Sequence, residues 1–325
     1  MFDLRHVIVG LLALVASADP LGAQTYAAKD LPAHLSWAYL WNDSVHSQPP
    51  DPQPVQIPGS TMKYSVQQAR NMFSTVNWFP EAHPLMPAVV EFGRKPDLRA
   101  CGGCHRAEGT AGADSASIAG LPAAYIVQQM ADFKSGARQS ALQSRPPENL
   151  MTLAAQVATE EEIQAAASYF SALKPKQVIR VVESDTAPTT TVIRYFYARQ
   201  DEGKEPLGQR IVEVPDDVDQ YELHNSRATF TAYVPVGSLS KGRALVESKA
   251  LPSMACAVCH GTDLRGVGVI PSIAGRSPSY LARQLYAFKI GVRNGAGAAL
   301  MKPVAERFSE DDIVAVVAYL ASLTP

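Results

Sequence analysis

The sequence contains the pattern Cys-x-x-Cys-His twice, at 101–105 and at 256–260. Two cysteines three positions apart can place their sulfurs beside the two vinyl groups on one edge of a porphyrin, and the histidine next in line can turn its imidazole to the iron. This spacing is typical of a covalent c-type haem site. We therefore predict two haem c groups, whose attachment residues and proximal iron ligands are Cys101, Cys104, His105, Cys256, Cys259 and His260.

The same residues could also form a zinc site, a redox dithiol or a disulfide framework. The adjacent histidines and the complete use of the cysteines argue against all three, because the four cysteines of the chain all fall in the two motifs. The balance of 29 basic and 31 acidic residues lacks the strong positive charge of nucleic-acid binders, so we expect no nucleic-acid partner.

The first 23 residues resemble a secretory signal peptide, with an apolar run from Val7 to Val15 and small residues after it. That run is too short to span a bilayer, which takes about 20 residues in a helix. No later segment is apolar enough to cross a membrane, so we expect no integral span once the leader is removed. The leader predicts export.

Residues 24–83 are rich in proline and aromatic side chains, which predicts an extended strap laid over a folded surface. One helix is expected inside the strap. Ser65 and Gln68, three residues apart, would form a capping box at its start. Its apolar face would be Val66, Ala69, Met72 and Phe73.

An internal repeat organises the rest of the chain. A shift of 155 residues takes Cys101 to Cys256 and superposes 118–120 on 273–275, both Ile-Ala-Gly. The same shift pairs other identical residues: Tyr125 with Tyr280, Gln129 with Gln284, Phe133 with Phe288, Gly136 with Gly291, and Arg138 with Arg293. We therefore predict two copies of one haem domain, at 84–175 and 237–325.

Helix signals coincide in the two copies. Gly136 and Gly291 would end one helix, and capping boxes at Thr159 and Ser309 would begin the last helix of each copy. Between the copies, residues 176–236 contain β-branched and aromatic clusters separated by turn-forming stretches such as 201–203 and 215–217. The predicted fold class is mainly α, with two tandem haem domains, a small antiparallel β insert between them and the N-terminal strap.

These segments resemble class I cytochromes c, and the tandem resembles the two-haem cytochrome c4 type. The repeated Ile-Ala-Gly, the segments from Tyr125 to Arg138 and from Tyr280 to Arg293, and the terminal helices carry the resemblance. With the insert included, the chain is similar to a group of bacterial two-haem cytochromes c. Families with this motif attach haem outside the bacterial cytoplasm, so the resemblance and the leader together imply the periplasm.

The resemblance also implies a methionine as the distal iron ligand, ahead of each last helix. Met151 and Met301 are in register there, and we expect both to lie in loops. A thioether opposite imidazole favours reduced iron, which suits an electron carrier. Met130 aligns with Leu285 and is expected to be core. Three further methionines have no counterpart in the second copy: Met62, Met72 and Met86.

Other histidines are weaker alternatives as ligands: His6, His34, His46, His83 and His224. His83 comes first among them because its segment must pack near the first motif. Pro271 matches the family's proline whose carbonyl holds the proximal imidazole, whereas the first copy has Ala116 there. The first copy also has Arg106 where the second has Gly261, so the two irons are expected to differ in potential.

The sequence favours an electron-transfer protein over an enzyme. It could be a soluble carrier or the electron-accepting subunit of a dehydrogenase, with a dehydrogenase, an oxidase or another cytochrome as its redox partner. The alternatives are a two-haem peroxidase, an enzyme that oxidises sulfur compounds, and a haem-bearing sensor module. An enzyme of this kind needs an open iron or an unusual ligand such as cysteine, and the chain has no cysteine to spare.

Overall fold

A computed structural model describes residues 34, 36–42, 50–247 and 255–325. The predicted signal peptide and much of the strap before residue 50 lie outside these residues. Among the described residues, no helix is both long enough and apolar enough to cross a membrane.

The first motif lies in a helical unit of five helices, which we call the first unit. They are α2 (Ala88–Glu91), α3 (Cys101–His105), α4 (Ala123–Ser135), α5 (Pro146–Val157) and α6 (Glu160–Ala172). Gly136 ends α4 in a left-handed conformation with φ 76°, and Thr159 forms the predicted capping box with Glu162. The buried face of α6 includes Ile163 and Phe170.

The second motif lies in a similar group, the second unit. Its helices are α8 (Ser238–Val246), α9 (Ala257–His260), α10 (Pro278–Lys289), α11 (Ala298–Arg307) and α12 (Glu310–Ser322). The capping box of Ser309 with Asp312 is confirmed. Helix α12 is buried along most of its length, so it forms the centre of this unit.

Met151 and Met301 lie inside helices α5 and α11, so the prediction that they lie in loops is wrong. Pro146 occupies the first turn of α5, where a missing amide hydrogen costs nothing. Helix α11 contains Pro303 at its sixth position and still continues to Arg307. Neither Pro146 nor Pro303 breaks its helix.

The insert between the units contains β1 (Ile179–Glu183), β2 (Thr186–Ile193), β3 (Phe196–Pro206), β4 (Val212–Pro215), α7 (Val218–Glu222) and β5 (Phe230–Val234). Strands β2 and β3 form an antiparallel hairpin, and a second sheet has the order β1-β5-β4. The β4–β5 pair is antiparallel, but β1 and β5 are parallel, so the prediction of a wholly antiparallel insert is wrong for that pair. All four residues of β4 are buried, as are Phe230 and Ala232 on β5.

The predicted turn at 201–203 is also wrong, because these residues lie within β3. The register of the hairpin shifts between Pro188 and Thr190, and Gly203, with φ 106°, sits against Thr189. The Asp-Glu-Gly stretch therefore forms part of an irregularity in the pairing instead of a reversal of the chain. The turn after Pro215 is confirmed, since α7 begins there with Asp217 as its N-cap.

The strap contains α1 (Val66–Ala69), which carries the predicted capping box of Ser65 with Gln68. The helix ends at Ala69, before Met72 and Phe73, which were expected to extend its face. Met72 instead lies against Gly103, and Thr75 lies against Gly102. The strap thus covers the two residues between the first pair of cysteines.

This contact explains the glycine at position 102. A Cβ atom there would lie 2.5 Å from Thr75 Oγ1, and that hydroxyl is held by a 2.7 Å hydrogen bond to the Val90 carbonyl. We expect Gly102→Ala to lower the free energy of unfolding by about 1–3 kcal/mol, since the strap must shift. Chemical denaturation of the haem-loaded protein measures this change in the free energy of unfolding. Ala257→Gly at the matching position of the second motif is the control, and an equal loss there would contradict this explanation.

Candidate haem sites

The four cysteines are unpaired thiols in the structure, Cys101 and Cys256 half-buried and Cys104 and Cys259 exposed. Burial raises the pKa of the Cys101 thiol to about 12 and that of Cys256 to about 11. Both thiols are therefore protonated near neutral pH before any group is attached. Among the described residues, no three His, Cys, Asp or Glu side chains come together as a metal cluster.

The histidine of each motif is oriented by a backbone carbonyl. The His105 Nδ1 atom lies 2.8 Å from the Ala116 oxygen, and the His260 Nδ1 atom lies 2.8 Å from the Pro271 oxygen. An Nδ1–H that donates to a carbonyl leaves the Nε2 lone pair for a metal. Burial lowers the pKa of both imidazoles, which favours the neutral form that binds iron. The donor set fits a haem iron at each motif.

Ala116 supplies the same bond at the same length as Pro271. The departure from the family's proline therefore leaves the proximal hydrogen bond in place. What differs between the two sites is how the carbonyl itself is held.

The two methionines occupy matched positions on their helices, and each is half-buried. Helix α5 packs on α4, and α11 packs on α10 in the same way. Met301 lies against a small apolar cluster that includes Phe288 and Ala305. The Met301 side chain thus packs within its own unit.

The alternative histidine ligand, His83, has both ring nitrogens close to protein atoms. Its Nδ1 lies 2.8 Å from the Pro84 oxygen and 3.0 Å from the Tyr169 hydroxyl, and its Nε2 lies 2.9 Å from Asn77 Oδ1. Binding iron would require these contacts to break. Two others are placed elsewhere, His34 beside Glu310 and His224 at the end of α7, while His6 and His46 lie outside the described residues.

Arg106, which follows the first proximal histidine, joins the first site to the insert. It is buried with φ 61°, a region in which glycine is favoured and which Gly261 occupies in the second motif. Its Nη1 donates to the Asn225 oxygen at 2.7 Å, and its guanidinium lies 5.0 Å from the centre of the Tyr221 ring. The Tyr221 hydroxyl in turn donates to Asp114 at 2.7 Å. Sequence reasoning missed this role, although the Arg-for-Gly departure pointed to it.

A symmetric hydrogen-bond network joins the two units. Arg138 donates to Tyr280 at 3.2 Å and to Gln284 at 2.9 Å, both in the second unit. Arg293 donates to Tyr125 at 2.8 Å and to Gln129 at 2.9 Å, both in the first. Each arginine also stacks on the phenylalanine of its own unit, Phe133 or Phe288. The residues identical in the repeat therefore meet at one junction, a role that the repeat alone did not reveal.

Comparisons with known proteins find relatives among the c-type cytochromes. The family model described as "Cytochrome c" matches residues 240–324. A thiosulfate dehydrogenase electron acceptor from Thiomonas intermedia (strain K12) is 31% identical over 230 residues, which are 70% of this chain and 80% of that protein. A protein of the same description from Stutzerimonas stutzeri is 27% identical over 71% of this chain and 82% of its own length. Cytochrome c4 of Azotobacter vinelandii is 24% identical over 69% of this chain and 84% of its own length.

Proposed function

The chain belongs to the family of tandem two-haem cytochromes c that includes the thiosulfate dehydrogenase electron acceptors, and we propose that it is the electron-accepting partner of a periplasmic dehydrogenase. It is a c-type cytochrome with two covalent haem c groups, and it transfers electrons. The enzyme that its relatives' names indicate is thiosulfate dehydrogenase. Location in the periplasm follows from the predicted leader and from the family's haem attachment outside the cytoplasm.

The proposed attachment residues are Cys101 and Cys104 in the first unit, and Cys256 and Cys259 in the second. The proposed axial ligands are His105 with Met151, and His260 with Met301. The observation that carries this assignment is the matched 2.8 Å bond from each histidine Nδ1 to a backbone carbonyl. Such a bond fixes the ring and directs Nε2 to the metal.

Haem held at the two motifs would supply one-electron chemistry, and the thioethers of Met151 and Met301 would favour potentials high enough for a carrier. The protein's own contribution is to keep the two sites in one rigid assembly. Arg293 is buried and Arg138 is half-buried between the units, and each donates hydrogen bonds across the junction. Backbone bonds add to this, since Gln139 N donates to the Val292 oxygen at 2.9 Å and Asn294 N to the Ala137 oxygen at 2.8 Å. We propose that the sites act as one relay.

A redox experiment on the haem-loaded protein tests the relay. We expect a titration to resolve two one-electron steps, because the buried cation of Arg106 follows His105 in the first motif, whereas Gly261 follows His260 in the second. After rapid reduction of one haem, we expect the electron to distribute between the two haems at a rate that is independent of protein concentration. Equilibration that slows in proportion on dilution would show that the haems communicate only between molecules.

The dehydrogenase partnership is tested separately by mixing the oxidised protein with purified thiosulfate dehydrogenase and thiosulfate. We expect reduction of both haems within the enzyme's turnover time, and the absorbance of reduced haem c measures it. A single-haem cytochrome c of similar potential is the control. Reduction no faster than that of the control would contradict the partnership.

A further inference from the structure

The loop that carries the Ala116 carbonyl has no proline at that position, yet it must hold the carbonyl against His105. In the second site Pro271 restricts its own φ angle to about −65°, which limits how far the carbonyl can turn. Ala116 has no such restriction. The loop is instead fastened through neighbouring carbonyls on both sides of Ala116.

Two arginines of the second unit donate the hydrogen bonds that hold these carbonyls. Arg283 Nη2 donates to the Ala113 oxygen at 2.6 Å. Arg276 Nη1 donates to the Ser117 oxygen, and its Nη2 lies 3.4 Å from the Ala119 oxygen. The carbonyls on the two sides of Ala116 are therefore held from the other unit.

Both guanidiniums are almost fully buried, Arg276 at 5% and Arg283 at 3% exposure. Burial lowers the pKa of each to about 10, so both remain charged near neutral pH. The repeat places Leu121 and Gln128 at the matching positions of the first unit, so only the second unit supplies these cations. Burying a cation is costly unless it is paired and hydrogen-bonded, and most of the bonds of Arg276 and Arg283 go to this one loop and to the strap.

We propose that Arg276 and Arg283 are positioning residues for His105. By holding 113–119 from the second unit, they keep the Ala116 carbonyl in line with Nδ1, as Pro271 does for His260 within its own site. The inference rests on the proposed function in that His105 is taken as an iron ligand. It makes the ligand geometry of the first haem depend on the packing of the second unit.

The test replaces each arginine by the residue at its matching position, Arg276→Leu and Arg283→Gln, in the haem-loaded chain. We expect the reduction potential of one of the two steps to shift. The low-spin electron paramagnetic resonance signal of that site should also broaden, because the His105 imidazole then takes a range of orientations. Pro271→Ala identifies the other step, because it loosens the second carbonyl. Arg265→Gln, which removes an exposed cation of the second unit, is expected to leave both signals unchanged.

Adding Ala116→Pro to either variant separates an effect on the position of the Ala116 carbonyl from an effect of the lost arginine charge. The Ala116 amide makes no hydrogen bond with the described residues, so a proline can replace it without losing one. We expect Ala116→Pro to restore most of the shift and the narrow signal. If the uncharged variants fold poorly, Arg276→Lys and Arg283→Lys replace them in the test. We expect these variants to shift the potential of the same reduction step by a smaller amount.

Three results would overturn the proposal: no shift, a shift of the step that Pro271→Ala moves, or a shift that Ala116→Pro leaves unchanged, which would indicate a charge effect. Failure of the proposed function is recognised independently, because the unaltered protein would then lack two covalent haems or low-spin iron. A negative result on the arginines alone leaves electron transfer untouched.

Discussion

Replacing Cys101 and Cys104 together with serine leaves one covalent haem on the purified protein instead of two. A serine hydroxyl does not form the thioether that each cysteine sulfur makes with a vinyl group, so the first site loses its attachment entirely. The second site keeps Cys256 and Cys259 and should be loaded as before. Intact mass of protein made with a haem-attachment system measures the change, together with the absorbance of reduced haem c, which should fall by half.

The matched control is the double replacement of Cys256 and Cys259, which should also leave a single haem. The quadruple variant should carry none. A mass showing fewer than two haems on the unaltered, fully processed protein would refute the assignment of two sites. So would a double variant that still carries two.

Replacing Met301 with alanine removes half of the weak near-infrared band that arises from sulfur-to-iron charge transfer. Alanine has no atom that can bind iron. The iron of that site therefore loses its thioether ligand, which favours the reduced form. We expect the reduction potential of that site to fall and the other step to stay nearly constant. Near-infrared absorption and a redox titration measure the two effects.

Met151→Ala should remove the other half of the band and lower the other step. Leu285→Ala is a control, since it shortens an apolar side chain in the same cluster as Met301 without removing sulfur. If the band is missing from the unaltered protein, methionine ligation is wrong at both sites. His83 would then need release from Asn77 and Tyr169 to serve as a ligand.

Local signals in the sequence predicted the parts of the fold that depend on neighbouring residues. The capping boxes at Ser65, Thr159 and Ser309 are present because each joins residues three positions apart. The glycine that ends α4 adopts the left-handed conformation that its missing Cβ permits. The spacing within the motifs similarly predicted which residues could hold haem.

Long-range contacts decided what these signals could not. The parallel pairing of β1 with β5 joins residues about 50 positions apart, and no turn between them fixes its direction. Met151 and Met301, expected in loops, lie instead in helices α5 and α11, which pack against α4 and α10.

The sequence alone predicted two haem motifs, the histidine of each and the duplication that contains them, because these depend on residue types at short, fixed spacings. It also showed that the copies differ at Arg106 and Ala116, but the contacts through which these differences act form only in the folded protein. The first motif is covered by Met72 and Thr75 of the strap, and Arg106 joins it to the insert. The loop beside His105 is held by Arg276 and Arg283 of the second unit. These contacts join segments up to 170 residues apart, and a buried guanidinium finds its carbonyl partners only once the chain has folded.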